Sequence, residues 1–257
     1  MTGRAWFVVG FTALSIGAAL LVPAVPQPVE YHDFADHRTL FGVANFLDVA
    51  SNLGFLLVGI FGIAVAFRPR TRFEIDSERW PYAIFFAGML LTAAGSAYYH
   101  LVPGNERLFW DRLPMTVAFM SLLAAQVVDR FDVRAGLALL LPMLLVGAAS
   151  VLYWRASERA GAGNLVPYAV LQAYAVVMLL LIALLHPSRY TRGNDLYWVF
   201  AGYVIAKVFE LFDRQFLEFG NLASGHTLKH LAAAVAGFVV CRMLMLRTPR
   251  VAGSRLG

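Results

Sequence analysis

The sequence predicts an all-α polytopic membrane bundle, a seven-helix core preceded by one extra N-terminal helix, and three observations carry that prediction. Hydrophobic residues make up 60% of the 257 residues, against roughly 45–50% in soluble domains. Mean hydropathy is +0.65. Apolar runs close to the ~20 residues that cross a bilayer recur eight times, at 6–25, 46–67, 82–100, 113–128, 137–153, 166–185, 197–216 and 227–245. No stretch between them is long enough for a separate soluble domain.

The first run follows Arg4 and ends at Val22-Pro23-Ala24, so residues 1–25 read either as an extra transmembrane helix or as a signal peptide cleaved after Ala24. Residues 26–250 form the seven-helix domain, and 251–257 an inner-side tail. The third run ends in Ser96 and His100, and Pro103-Gly104-Asn105 marks the turn that follows. Asp111 then stands where it would cap the fourth helix, with Pro114 in the first turn. The seventh run carries Lys207, Glu210, Asp213 and Arg214 at three- and four-residue spacing, which puts them on one helix face where they can pair. The eighth opens with His226 and His230.

Charge sets the orientation. Thirteen arginines, among them Arg4, Arg68, Arg70, Arg72, Arg79, Arg247 and Arg255, fall on one side of an eight-span topology, while Arg38, Arg107, Arg112, Arg155 and Arg159 fall on the other. The positive-inside rule then puts both termini inside. The net charge of +5 is therefore topology and not a nucleic-acid surface. Arginine richness and short loops read as bacterial, which places the chain in a cytoplasmic membrane. The lone Cys241 excludes an intrachain disulfide and a thiolate cluster, so a metal here must use histidine and oxygen.

With this topology Ser96, His100, Asp111, His226 and His230 all lie at the outer, periplasmic ends of three helices, although about 130 residues separate the first from the last. Residues four apart share a helix face, about 6 Å along the axis. Three neutral imidazoles with a fourth position open is the arrangement of a catalytic zinc site, where bound water becomes acidic. Asp111 is placed to take a proton from that water or to orient a ligand. Taken singly, Ser96 reads as a small packing residue. Tyr98, Tyr99 and Trp110 read as interface aromatics, His32, His37 and His186 as solvated, and Lys229 as pointing away from its histidine neighbours.

Gly95-Ser96-Ala97-Tyr98-Tyr99-His100, Trp110-Asp111-Arg112-Leu113-Pro114-Met115 and His226-x-x-x-His230 together resemble the alkaline ceramidase family. That family belongs to a group of seven-helix membrane hydrolases that also includes the progestin and adipoQ receptors and the haemolysin III-like proteins. Asp-x-Leu-Pro-Met and the Ser51-Asn52 pair are the features particular to the ceramidases, and the resemblance runs from about Asp33 onward. It implies zinc on His100, His226 and His230, a nucleophilic water near Asp111, and Ser96 beside the reacting carbonyl, for hydrolysis of a ceramide-like amide to a sphingoid base and a fatty acid. It also implies a calcium site, for which Asp33, Asp36 and Asn45 are the matching positions. Arg38 falls where a neutral ligand is expected and the segment supplies few of the six to eight oxygens calcium takes, so calcium dependence is not expected. Asp213 matches a family aspartate, and Glu210 with Asp213 is placed to bind a sphingoid head group, the other reading being an interhelical ion-pair network. Two further functions stay open: a haemolysin III-like or receptor-like protein with the same metal site and another lipid, and a proton-coupled transporter using Asp111, Glu210 and Asp213 as relays.

Overall fold

The computed structural model describes residues 3–250, with side chains from Trp6 onward, so the Arg4 side chain and the 251–257 tail with Arg255 lie outside the described residues. The described chain is helical: α1 Gly3–Leu21, α2 Phe46–Ala50, α3 Leu53–Phe67, α4 Arg79–Leu101, α5 Asn105–Arg130, α6 Val133–Arg159, α7 Val166–Leu185, α8 Asp195–Leu211, α9 Asp213–Gly220 and α10 Gly225–Leu246. Six segments are long and apolar enough to cross a membrane: Phe46–Phe67, which joins α2 and α3, then Asp76–Leu101, Asn105–Arg130, Val133–Arg159, Val166–Leu185 and Gly225–Leu246. The protein is thus a multi-pass membrane helix bundle. α1 is a shorter apolar helix that docks on α7, where Phe11 stacks on Tyr174 at 5.7 Å.

The predicted seventh span, 197–216, is not one helix. α8 stops at Leu211, Phe212 leaves the helical region at φ −105° and ψ 33°, and α9 restarts at Asp213. The break resolves an electrostatic problem. Four ions on one continuous apolar span would be costly in hydrocarbon, whereas the break releases Asp213 to the start of α10 and Arg214 to the exposed Asp33.

The predicted cap is also revised. The hairpin is tighter than the pattern implied, because α4 runs to Leu101 and α5 begins at Asn105. Asp111 therefore lies in the second turn of α5 and Pro114 inside the helix. The apolar run began at Leu113 because Asp111-Arg112, together with Asn105-Glu106-Arg107, hid the first two turns from a hydropathy reading.

α4 packs between α3 and α5, α5 also packs on α6, and α10 packs on α3 and α8. Gly95 governs the closest of these approaches, since a Cβ there would stand 1.9 Å from the Trp110 carbonyl oxygen. Without it α4 and α5 could not bring Ser96 beside Asp111. At the end away from the histidines, Arg189 spans Glu74 and Glu78, and Arg247 is enclosed by Phe73, Tyr82 and Tyr190. These contacts tie the loops that carry most of the arginines into one layer.

Candidate metal centre

The last turn of α4 supplies His100, and the first two turns of α10 supply His226 and His230. One ligand atom from each ring lies within 4.8 Å of the others, and all three rings are buried. Ring centroids form a near-equilateral triangle of 4.7, 5.0 and 4.9 Å. The Nε2 atoms of His100 and His226 are 3.2 Å apart. Two imidazole nitrogens bonded tetrahedrally to one metal at about 2.0–2.1 Å stand about 3.3 Å from each other, so the observed spacing fits a shared ion.

The hydrogen bonding fits it too. Ser51 Oγ donates its single proton to the Asp48 carbonyl at 3.1 Å and lies 2.8 Å from His230 Nδ1. When Nε2 binds a metal, Nδ1 must carry the proton, and a Ser51 hydroxyl that directs its own proton to the Asp48 carbonyl is placed to accept it. His100 differs, since its Nδ1 is buried with no hydrogen-bond partner and lacks the support that Ser51 gives His230.

Several groups fix the two histidine-bearing helix ends. Asn45, in the left-handed region at φ 48°, donates from its side-chain amide to the His100 carbonyl at 2.8 Å, one of the orphan carbonyls at the α4 terminus. Asp48 is fully buried and accepts from Thr227 Oγ1 at 2.6 Å and Ser224 Oγ at 3.3 Å. Asp213 accepts from the His226 backbone N–H at 2.6 Å and from Ala35 N–H at 2.9 Å. Both carboxylates thus stand at the positive end of the α10 dipole. Gly225 allows the same start to press on α8, where a Cβ would meet the Phe209 carbonyl at 2.1 Å. Phe34 covers the cluster, with its ring 4.6 Å from His100 and 4.4 Å from His226.

Beside the histidines a cavity of about 360 Å³ runs into the bundle, and Ser96, Asp111 and His230 line it together. The Ser96 hydroxyl lies beside the Asp111 carboxylate in the cavity wall. Deeper walls are apolar, with Phe85, Met89, Leu122 and Leu179 among them. Ser96, His100, Asp111, His226 and His230 are therefore brought to one place.

Other sequence expectations change. Lys229 does not point away: it pairs with Glu210 at 2.7 Å and lines the cavity. Its position one residue before His230 turns it inward toward α8. Glu210 lines the cavity and is held by both Lys229 and Lys207, an ion-pair network of the kind given as the other reading. Asp213 is occupied by backbone N–H groups and does not line the cavity. Tyr99 is buried, not interfacial, because its hydroxyl meets His32 Nδ1 at 2.8 Å, and His32 Nε2 meets Asn105 at 2.9 Å. His37 is exposed against Asp33, and His186 is half-buried beside Phe131. Tyr98 and Trp110 remain exposed.

The three matching calcium positions each have protein partners. Asp33 pairs with His37 and Arg214, Asn45 is committed to the His100 carbonyl, and Asp36 takes Arg38 Nε at 2.8 Å and Nη2 at 2.6 Å. The Arg38 guanidinium also donates to the Asn221 and Leu222 carbonyls. A protein cation thus fills the coordination of Asp36.

Sequence reading missed Asp48, Phe34 and the inward role of Arg112. Asp48 had a signal, as a carboxylate within an apolar run. Phe34 had none, since its place depends on how the 26–45 segment folds back.

Fold and cluster together define the class: a multi-pass membrane helix bundle whose buried three-histidine group can hold a metal ion. No protein-family model matches the chain, and no curated protein matches it in sequence.

Proposed function

We propose that this protein is a zinc-dependent membrane amidase that hydrolyses a long-chain, ceramide-like lipid amide to an amine and a fatty acid, near the periplasmic face of a bacterial membrane. The observation that carries it is the meeting of three buried imidazoles with the Ser96–Asp111 pair at the mouth of an apolar cavity. A transporter relay has no need of three convergent imidazoles, and a structural metal site has no need of a cavity beside it.

His100, His226 and His230 are the residues that would hold zinc. When bound, zinc supplies a Lewis acid that polarises a carbonyl and acidifies water. The chain's own groups do the rest. The apolar walls hold the acyl tail and exclude bulk water, which strengthens each polar interaction at the reacting carbon. Asp111 accepts a proton from the attacking water and returns it to the nitrogen as the C–N bond breaks. Ser96, in the same cavity wall, is placed to donate to the carbonyl oxygen as negative charge develops there.

The test is release of long-chain amine and fatty acid, read by mass spectrometry, from a panel of lipid amides that includes ceramides, with zinc content measured on the same purified protein. Release that disappears in His100→Ala together with the zinc supports the proposal. Asp111→Asn should keep the zinc and lose turnover, and full turnover in that variant would remove Asp111 from the reaction. Stoichiometric zinc with no release from any amide would favour a receptor-like protein of the same architecture.

A further inference from the structure

The cavity mouth carries more positive charge than its carboxylates balance. Arg112 is 4% exposed, and its cavity-lining guanidinium lies within 4.3 Å of the Trp154 ring, 4.8 Å of Tyr168 and 5.4 Å of Tyr31. Its Nη2 donates to the neutral Gln27 side chain at 2.6 Å, while Nη1 is buried without a partner. No carboxylate forms an ion pair with it among the described residues. Lys229 and Lys207 share the single carboxylate of Glu210. The cavity wall therefore holds three cations, Arg112, Lys207 and Lys229, against two carboxylates, Asp111 and Glu210. The three histidines, as metal ligands, are neutral.

An uncompensated charge and an unmet N–H are both costly in such surroundings. Glu106 likewise serves two cations, Arg155 and Arg159, but that network lies on the surface, where water meets the excess charge. This one is left open toward the cavity.

We propose that the substrate carries a carboxylate on the amine side of its amide, as a long-chain N-acyl amino acid does, and that Arg112 and Lys229 receive it. This rests on the amidase reading above and narrows its substrate class. The acyl tail requires the apolar depth of the cavity, so the amine half faces Tyr31, Arg112 and Lys229 at the histidine end. The side-chain excess is one positive charge, which a monoanionic carboxylate balances, whereas a phosphate brings about −1.5 to −2. Arg112 also offers a guanidinium already oriented by three rings, so little further ordering is needed on binding.

The experiment compares N-palmitoylglycine with its methyl ester, which keeps the tail and the amide and removes the charge. Binding to the full chain in neutral detergent is measured after chelation, so that no metal attracts the carboxylate, and glycine or glycine-ester release is then measured on zinc-loaded protein. The acid should bind at least about tenfold more tightly, equivalent to about 1.4 kcal/mol. That ratio should fall toward one in Lys229→Gln and in Arg112→Gln and persist in Arg112→Lys. Unequal partition of acid and ester into micelles is corrected from their measured free concentrations and cancels when each variant's ratio is divided by the parent's, and Lys229→Gln serves if Arg112→Gln does not fold. Equal binding of acid and ester, or a ratio that survives both neutral substitutions, overturns the proposal. Preferred binding of the acid with no amide cleavage would keep the carboxylate site and overturn the amidase reading. Cleavage of ceramide with no preference for the acid would do the reverse.

Discussion

Replacing Ser51 with alanine tests the metal centre without touching a ligand. The Ser51 hydroxyl is placed to accept the His230 Nδ1 proton at 2.8 Å, and the site is buried from water. In the metal-free Ser51→Ala protein the imidazole is free to turn or change tautomer and find another partner for that proton. Once Nε2 is committed to a metal the ring is fixed, and the N–H has no acceptor. The penalty for a buried unsatisfied donor, about 1–3 kcal/mol, therefore appears on metal binding. It corresponds to a roughly 10–100-fold loss of affinity, which agrees with the effect of removing outer partners of metal-bound histidines. The assay is zinc competition against a chromogenic chelator, on parent and variant in the same detergent. A dissociation constant within about twofold of the parent would refute the tautomer argument, and with it the assignment of Nε2 as the ligand atom.

Gly95→Ala should lower both the melting temperature and zinc content, since its Cβ would stand 1.9 Å from a backbone oxygen that cannot rotate away; overpacking of this kind costs about 1–3 kcal/mol. Parental values of both would mean that α4 and α5 can part without disturbing the site. Asp213→Ala strips the acceptor from the His226 and Ala35 N–H groups and should destabilise by about 1 kcal/mol, typical of a lost helix cap, with weaker zinc retention but unchanged preference among lipid amides; a change of head-group preference alone would restore Asp213 to the substrate site. The Arg38 guanidinium holds the Asp36 carboxyl below its ordinary pKa of 3.8. Its contribution is therefore complete above that pH and is lost as pH falls through the lower native value. Protection of the 33–38 segment from proteolysis should thus be flat from pH 7 to pH 5 and fail only in stronger acid, and loss of protection between pH 5 and 7 would contradict the pairing.

What the sequence made legible follows from the physics of each signal. Apolar run length located the six segments long enough to cross a membrane, because hydrocarbon thickness imposes it directly, but it overstated the runs at 6–25 and 197–216. The four-residue spacing within α4 and α10 placed Ser96 with His100 and His226 with His230, because 3.6-residue periodicity is local. The break at Phe212 was hidden, since apolar residues continue through Phe216 and the cause of the break, the N–H groups of His226 and Ala35, lies elsewhere in the chain. The direction of Lys229 was hidden for the same reason: the helix wheel gives an angle relative to His230 but not which neighbouring helix lies there. The calcium positions were suggested by resemblance, and the guanidinium that occupies Asp36 comes from Arg38, which falls where a neutral ligand was expected.

The segment 45–52 explains why the cluster forms at all. Asn45 grips the end of α4, Asp48 grips the start of α10, and Ser51 grips the His230 ring, so one short helix and its flanks hold both histidine-bearing helices at the same depth. His226 and His230 share a face by local periodicity alone, but the third ligand belongs to another helix, and its distance is set by contacts between side chains far apart in sequence. Removing any one of the three grips leaves a buried polar group unpaired in apolar surroundings, the state that costs most there. The same segment offers little apolar area for packing at those positions, so its polar residues are there to set position rather than to bury surface. The metal centre is therefore a property of how three helices dock, and its geometry is specified by the non-ligand residues of α2 and its two flanks as much as by the histidines.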